Sequence, residues 1–316
     1  MSGPQRAPRI ERRRIDGVLL LDKPHGWSSN HAVQAVKRLY RAERAGHTGT
    51  LDPLATGLLP VCLGEATKFS AGLLDADKEY LADVRLGATT TTGDAEGDVI
   101  ETRPVHVDEP ALDRALASLR GEIVQVPPMH SALKRDGRPL YEYARAGIEV
   151  ERAPRRVTIH ALEVLGRDAG TLHLRVTCSK GTYVRVLAED LGRALGCGAH
   201  LGGLRRTRVG ALCLDDAMTP ERLEVLDEPG RDRLLAPIDA LVAALPAVRL
   251  DAVFAGRILR GQPARSCDGP DGTVRLYGPD GAFLGLGERD RSGELRPRRL
   301  MRVDAPVNLA KGPDSK

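Results

Sequence analysis

Cysteine and histidine are scarce in this 316-residue sequence, with five Cys and eight His. Cys62, Cys178, Cys197, Cys213 and Cys267 are widely spaced and form no C-x-x-C pair. That pattern supports neither a structural zinc site nor a disulfide framework. Most of these thiols are expected to be small buried apolar residues. No two histidines stand at a ligand spacing such as H-E-x-x-H, so no metal is expected. No apolar run approaches the roughly 20 residues that a membrane helix needs, so no membrane partner is expected. The N-terminus has no apolar segment of the kind secretory signals carry, and its prolines break the amphipathic helix of a transit peptide. A cytoplasmic protein is the resulting expectation. The chain also lacks long repeats and extended low-complexity tracts.

What is present is ordinary globular composition, 41% hydrophobic and 28% charged, with a formal net charge of +4. The length exceeds one typical core and suggests two domains. The basic residues are uneven. Arg6, Arg9, Arg12, Arg13 and Arg14 crowd the N-terminus, Arg205, Arg206 and Arg208 form a second group, and Arg296, Arg298, Arg299 and Arg302 a third. Three such clusters point to a phosphate-rich partner, a nucleic acid.

Residues 1–14 read as a disordered basic tail. Residues 17–22 read as a buried strand ending at Lys23-Pro24. Ser29 or Asn30 is placed to cap a helix carrying Ala32, Val33, Val36 and Tyr40 at helical spacing. Apolar strands are predicted near 58–63 and over 80–86, with 99–102 as a candidate partner of the latter. Asp108 is placed to cap a helix through Leu119, and residues 138–147 form another short one. Leu172, Leu174, Val176 and Cys178 alternate with more polar residues, the period of a half-buried strand, and Val184, Leu187, Ala188, Leu191 and Leu195 return to helical spacing. Helical patterns broken by proline fill 211–245. Beyond Pro246 the pattern changes to short strands near 272–277, 282–288 and 295–303, with a turn at Pro279-Asp280-Gly281. A mixed α/β domain over 15–245 and a small β-barrel over 246–316 are predicted.

One stretch concentrates chemistry: Gly46-His47-Thr48-Gly49-Thr50-Leu51-Asp52-Pro53-Leu54-Ala55-Thr56-Gly57. Its glycines permit bends closed to other residues, and Pro53 forces Asp52 toward an extended backbone. The carboxylate is thus presented from a loop, where reactive groups tend to sit. Five further stretches accompany it. They are Leu20 to Asn30, reading LLDKPHGWSSN; Lys78-Glu79-Tyr80 with Leu86 to Thr91 downstream; Gln125 to Lys134, reading QVPPMHSALK, followed by Gly137 and Tyr141; Cys178 to Arg185, reading CSKGTYVR; and Gly198-Ala199-His200-Leu201 leading to Leu204-Arg205-Arg206-Thr207.

In order and spacing, from about residue 16 to 210, these stretches resemble the TruB family, the bacterial tRNA pseudouridine(55) synthases. The resemblance implies a pseudouridine synthase catalytic domain (α+β, with a mixed β-sheet) that isomerises uridine 55 of the tRNA T-loop. Uracil would leave C1′, rotate and rejoin through C5. Asp52 matches the catalytic Asp, and an Asp in water ionises near pH 3.9, so neutral pH suffices for a nucleophile. Attack at C1′, attack at C6 and proton abstraction at C2′ all remain open. Arg185 matches the Arg that pairs with that Asp. Tyr80 matches the Tyr that stacks on the target base, and Tyr183 a second Tyr near the site. Leu204 matches an apolar residue of the base pocket. His47 matches the His that enters the vacated RNA position. Lys23 supports the fold around the site or meets a phosphate, and Arg205 and Arg206 are candidate RNA-backbone contacts. Trp27, His31 and His130 depart from the residues usual in the family, outside the catalytic set.

Leu284-Gly285-Leu286-Gly287-Glu288 and Pro297-Arg298-Arg299-Leu300 resemble the PUA-like RNA-binding domain of bacterial members. The product being an isomer, no cofactor is implied. The implied partner is the tRNA T-stem-loop, met by a monomer without a guide RNA, since the flanking segments of the guide-using dyskerin branch are missing. Two rival readings remain: a tRNA-folding chaperone that grips the T-loop without catalysis, and an Asp-dependent nucleosidase, which would release free uracil.

Overall fold

The computed structural model describes residues 11–168, 170–265 and 269–302. Residues 1–10 of the expected tail, Cys267 and residues 303–316 lie outside it. Within the tail, Arg13 is tied down. Its backbone N–H donates to the Arg41 carbonyl at 2.9 Å, and its guanidinium meets Asp232 at 2.5 and 2.7 Å. The ordered fold therefore begins before residue 15, because this arginine has carboxylate partners to hold it.

A nine-stranded mixed sheet forms the frame. Its main path runs Gly17–Lys23, Thr56–Leu63, Ala199–Val209, Lys78–Leu86, Thr171–Cys178, Arg155–Asp168, Gly121–Gln125. All neighbours on this path are antiparallel except Thr56–Leu63 with Ala199–Val209, which pair in parallel at Arg205↔Thr56 and Arg206↔Gly57. The short strands Ala45–His47 and Leu212–Cys213 extend it.

The two continuous apolar runs lie where both faces are covered, as expected for unbroken hydrophobic strands. Leu19, Leu21, Leu59 and Val61 face the Ser29–Leu39 helix through Ala32, Val33 and Val36. Val18, Leu20, Leu58 and Cys62 face the opposite way, onto Phe69, Leu73 and Leu241. Thr171–Cys178 alternates as expected, its buried face covered by the Glu109–Ser118 and Val184–Ala194 helices.

Several expectations need correction. Residues 99–102 pair with Ala88–Thr90 and not with 80–86, since Lys78–Leu86 already has a strand along each edge. The first helix is capped by Ser28, whose Oγ accepts from the His31 N–H at 3.1 Å. Ser29 instead braces a neighbouring loop. Its Oγ accepts from the Leu51 N–H at 2.8 Å and donates to the Leu51 carbonyl at 2.9 Å. The short helix is Leu140–Arg145, preceded by a two-residue hairpin strand.

Beyond residue 246 a curled five-stranded half-barrel runs Ala247–Arg249, Gly272–Tyr277, Phe283–Arg289, Glu294–Leu300, Ala264–Arg265, consistent with a PUA-like domain. It has its own core, including Val248, Ile258, Val274, Leu276 and Leu295. It also packs on the larger domain, where the Phe283 ring meets Phe69 of the helical segment Gly64–Leu73 edge-on at 5.3 Å.

Candidate active site

The loop bearing Asp52 leaves the sheet at His47 and returns at Thr56. Its ends are held by strand pairing, and its middle by the two Ser29–Leu51 hydrogen bonds. The Gly26 N–H donates to the Pro53 carbonyl at 2.9 Å, and Leu51, Leu54 and Ala55 are buried. Anchored on both sides, Asp52 keeps its own side chain 42% exposed. A fixed backbone with an accessible carboxylate is what a reactive group requires.

The partner comes from a segment distant in sequence, near the middle of the chain. Lys180-Gly181-Thr182 closes the Thr171–Cys178 strand, and Arg185 lies in the first turn of the Val184–Ala194 helix. Its buried guanidinium pairs with Asp52 at 2.9 Å. It also donates to the Thr92 carbonyl at 3.0 Å and the His130 carbonyl at 2.6 Å, and its Nε faces Asp94 at 3.5 Å. The cation is unfavourable at a helix N-terminus; two carboxylates and two carbonyls compensate it.

Asp94 is the residue that sequence reasoning passed over. Its side chain is buried, accepting from Thr92 Oγ1 at 2.6 Å and from the Glu96 N–H at 3.1 Å. In sequence, Gly93-Asp94 reads as an ordinary turn. Its only further signal is its place just after the Leu86 to Thr91 stretch.

Tyr80, on the Lys78–Leu86 strand, lines the same cleft as Asp52. Burial raises its phenol pKa, against the pull of the neighbouring Arg206 guanidinium, so the hydroxyl stays protonated at neutral pH. Asp52, Tyr80, Tyr183, Arg185, Leu204 and Arg206 line one cleft of about 380 Å³. Lys23, His47 and Arg205 are absent from its walls. Among the described residues no group of three or more His, Cys, Asp or Glu is arranged to hold a metal ion.

Arg205 and Arg206, both candidate RNA-backbone contacts, are not equivalent in the structure. Adjacent strand residues face opposite ways. Arg206 points under the cleft, fully buried, with Nε donating to the Leu58 carbonyl at 2.7 Å and a second nitrogen to the Gly49 carbonyl at 3.3 Å. Arg205 points to the other face and pairs with Asp22 at 2.6 Å. Lys23 is fully buried and donates to the Trp27 carbonyl at 2.6 Å and the Pro24 carbonyl at 3.0 Å. Those hydrogen bonds brace the turn that follows the first strand. His47 is partly buried, and its Nδ1 accepts from the Gly49 N–H at 3.2 Å. Burial, with help from Arg206, pushes its pKa down, so the ring is neutral at physiological pH. The rings of Trp27 and His31 stack on each other at 4.5 Å.

Residues 37–184 match the family model described as TruB family pseudouridylate synthase (N terminal domain). Residues 185–243 match tRNA pseudouridylate synthase B C-terminal domain, and 246–301 match Pseudouridine synthase II TruB, C-terminal. The chain belongs to the TruB family. Among TruB relatives, a tRNA pseudouridine synthase B of Aromatoleum aromaticum is 62% identical over 293 residues, 93% of this chain and 95% of that protein. One of Cupriavidus metallidurans is 59% identical over 312 residues, covering 96% of this chain and 99% of the relative. The fold also resembles a solved Cbf5–Nop10–Gar1 complex, with 29% identity and a TM-score of 0.66 over 86% of this chain and 78% of that one. A solved H/ACA RNP bound to a substrate RNA containing 2′-deoxyuridine is similar at 25% identity and a TM-score of 0.67, covering 92% of this TruB chain and 86% of the other.

Proposed function

We propose that this TruB chain converts uridine 55 in the T-loop of tRNA to pseudouridine, with Asp52 as the reacting group. The observation that carries the reading is the 2.9 Å pairing of the half-exposed Asp52 with the buried Arg185, in a cleft of about 380 Å³ that Tyr80 also lines. That volume lies within the range of small-molecule pockets, which suits one everted nucleoside. The close relatives named tRNA pseudouridine synthase B supply the substrate class.

The reaction breaks the N1–C1′ bond and makes a C5–C1′ bond. The C5 proton goes to solvent and N1 gains one, so atoms balance without a co-reactant. Extracting a stacked base costs a few kcal/mol. The ring of Tyr80 and the side chain of Leu204 offer the base a stacking and apolar surface in return. A neutral, flat His47 ring suits the gap left in the RNA stack.

The test uses tRNA carrying tritium at uridine C5. The wild-type chain is expected to release one tritium per tRNA and no free uracil, and to lose release when position 55 is cytidine. Asp52→Asn is expected to lower release at least about 10³-fold while binding tRNA as before. Undiminished release from Asp52→Asn, or accumulation of uracil, overturns the reading.

A further inference from the structure

Four cations line the cleft: Lys78, Arg155, Arg185 and Arg206. Three are fully engaged by the protein. Arg185 serves Asp52 and Asp94, and Arg206 serves the Leu58 and Gly49 carbonyls beneath Tyr80. Lys78 is buried and donates to the carbonyls of Leu73, Leu74 and Ala76 at 3.3, 2.8 and 2.6 Å. Arg155 differs. It is exposed, and its guanidinium makes no hydrogen bond or ion pair with any described residue.

Its position is nevertheless fixed. Arg155 opens the Arg155–Asp168 strand and pairs in register with Gln125. The buried Gln125 side chain accepts from the Tyr183 N–H at 3.0 Å and donates to the Tyr183 carbonyl at 3.3 Å. One residue thereby locks the Arg155 strand to the start of the helix that carries Arg185. The guanidinium lies over Gly181, within 3.9 Å of where a Cβ would stand, and its charge reaches the Tyr183 phenol. Gly181 has no side chain to cover it.

A uridine entering this cleft brings two phosphodiesters with it. A guanidinium with all its donors free, held at the rim, matches a phosphate by fork geometry and charge. We propose that Arg155 receives a backbone phosphate of the everted nucleotide or its immediate neighbour, and so positions that nucleotide over Asp52. It acts through the RNA backbone and takes no part in bond making. This inference rests on the proposed function, since it needs RNA in the cleft.

The test measures tRNA affinity against salt in an Asp52→Asn background, so that turnover does not intrude, and C5 tritium release with Asp52 intact. Loss of one phosphate contact is expected to lower the magnitude of the slope of log affinity against log salt by about 0.7–0.9 in Arg155→Ala. Arg155→Lys is expected to keep that slope. In release assays KM for tRNA is expected to rise about tenfold in Arg155→Ala, with a smaller fall in kcat. An unchanged slope and KM in a folded Arg155→Ala overturns the assignment. So does a slope lost equally in Arg155→Lys. If the wild-type chain neither binds nor isomerises tRNA, the proposed function has failed; if it does both and only the Arg155 variants behave like wild type, this inference alone has failed.

Discussion

At the scale of the residue, burial decides which charges stay open to solvent and which serve the protein. Lys23 is the clearest case. Burial pushes its ammonium down to about 8, with Asp52 and Glu96 pulling upward and Arg206 adding to the fall. A lysine in the unfolded chain titrates near 10.4. Between these two values the unfolded chain binds more protons, so Lys23 makes stability rise with pH across that window. Urea denaturation of wild type and Lys23→Met from pH 7 to 11 checks this. The stability difference between them is expected to shift in favour of wild type as pH rises from about 8 to about 10.4; a constant difference contradicts it. Tyr80 and Arg206 follow the same logic in a different form. The guanidinium is desolvated, yet it keeps two carbonyl acceptors and a phenol neighbour, so it shapes the floor of the cleft.

At the scale of the element, the site depends on how closely Thr56–Leu63 approaches Ala199–Val209. Their parallel contact is only two residues long and centres on Gly57, whose φ is +97°. A Cβ there would stand 2.3 Å from the Arg206 carbonyl oxygen and 2.8 Å from its nitrogen. Gly57→Ala is therefore expected to cost at least about 2 kcal/mol, from backbone strain and the clash together. Activity should fall too, because the displaced backbone is that of Arg206. Gly26→Ala is the control: its φ is +80° but nothing lies within 4 Å of the added carbon. It is expected to cost about 1–2 kcal/mol. Thermal or chemical unfolding of both variants measures the contrast.

At the scale of the molecule, the half-barrel is fastened to the short helical segments Gly64–Leu73 and Ile238–Val242 of the larger domain. Tyr277 donates to Asp239 at 2.6 Å, Lys68 reaches the Leu300 carbonyl at 3.3 Å, and Phe69 meets Phe283. Phe69 is buried within the core beneath Gly17–Lys23. Phe69→Ala is expected to lower stability by about 3–5 kcal/mol. Hydrogen exchange should quicken across Phe283–Arg289 as well as around residue 69. If only the larger sheet loosens, the two units are less coupled than their contacts indicate.

Much of this architecture was legible in the residues. The alternation of Leu172, Leu174, Val176 and Cys178 and the helical spacing after Val184 are local periodicities, and each became the expected element. The loop around Asp52 was equally plain, because glycine and proline restrict the backbone wherever they occur. Partnership was harder to read. Residues 99–102 looked like a mate for 80–86 until two other strands occupied both edges.

The sequence by itself determined that the Asp52 carboxylate would stand in a loop, and which segments would be strand or helix, since turn chemistry and backbone period act over a few residues. Tertiary structure decided which charges meet. It brought Arg185 to both Asp52 and Asp94, turned Arg205 and Arg206 to opposite faces, buried Lys23, and left Arg155 open at the rim of the cleft. Coulomb and desolvation energies depend on distance and on access to water, and neither exists until distant strands become neighbours.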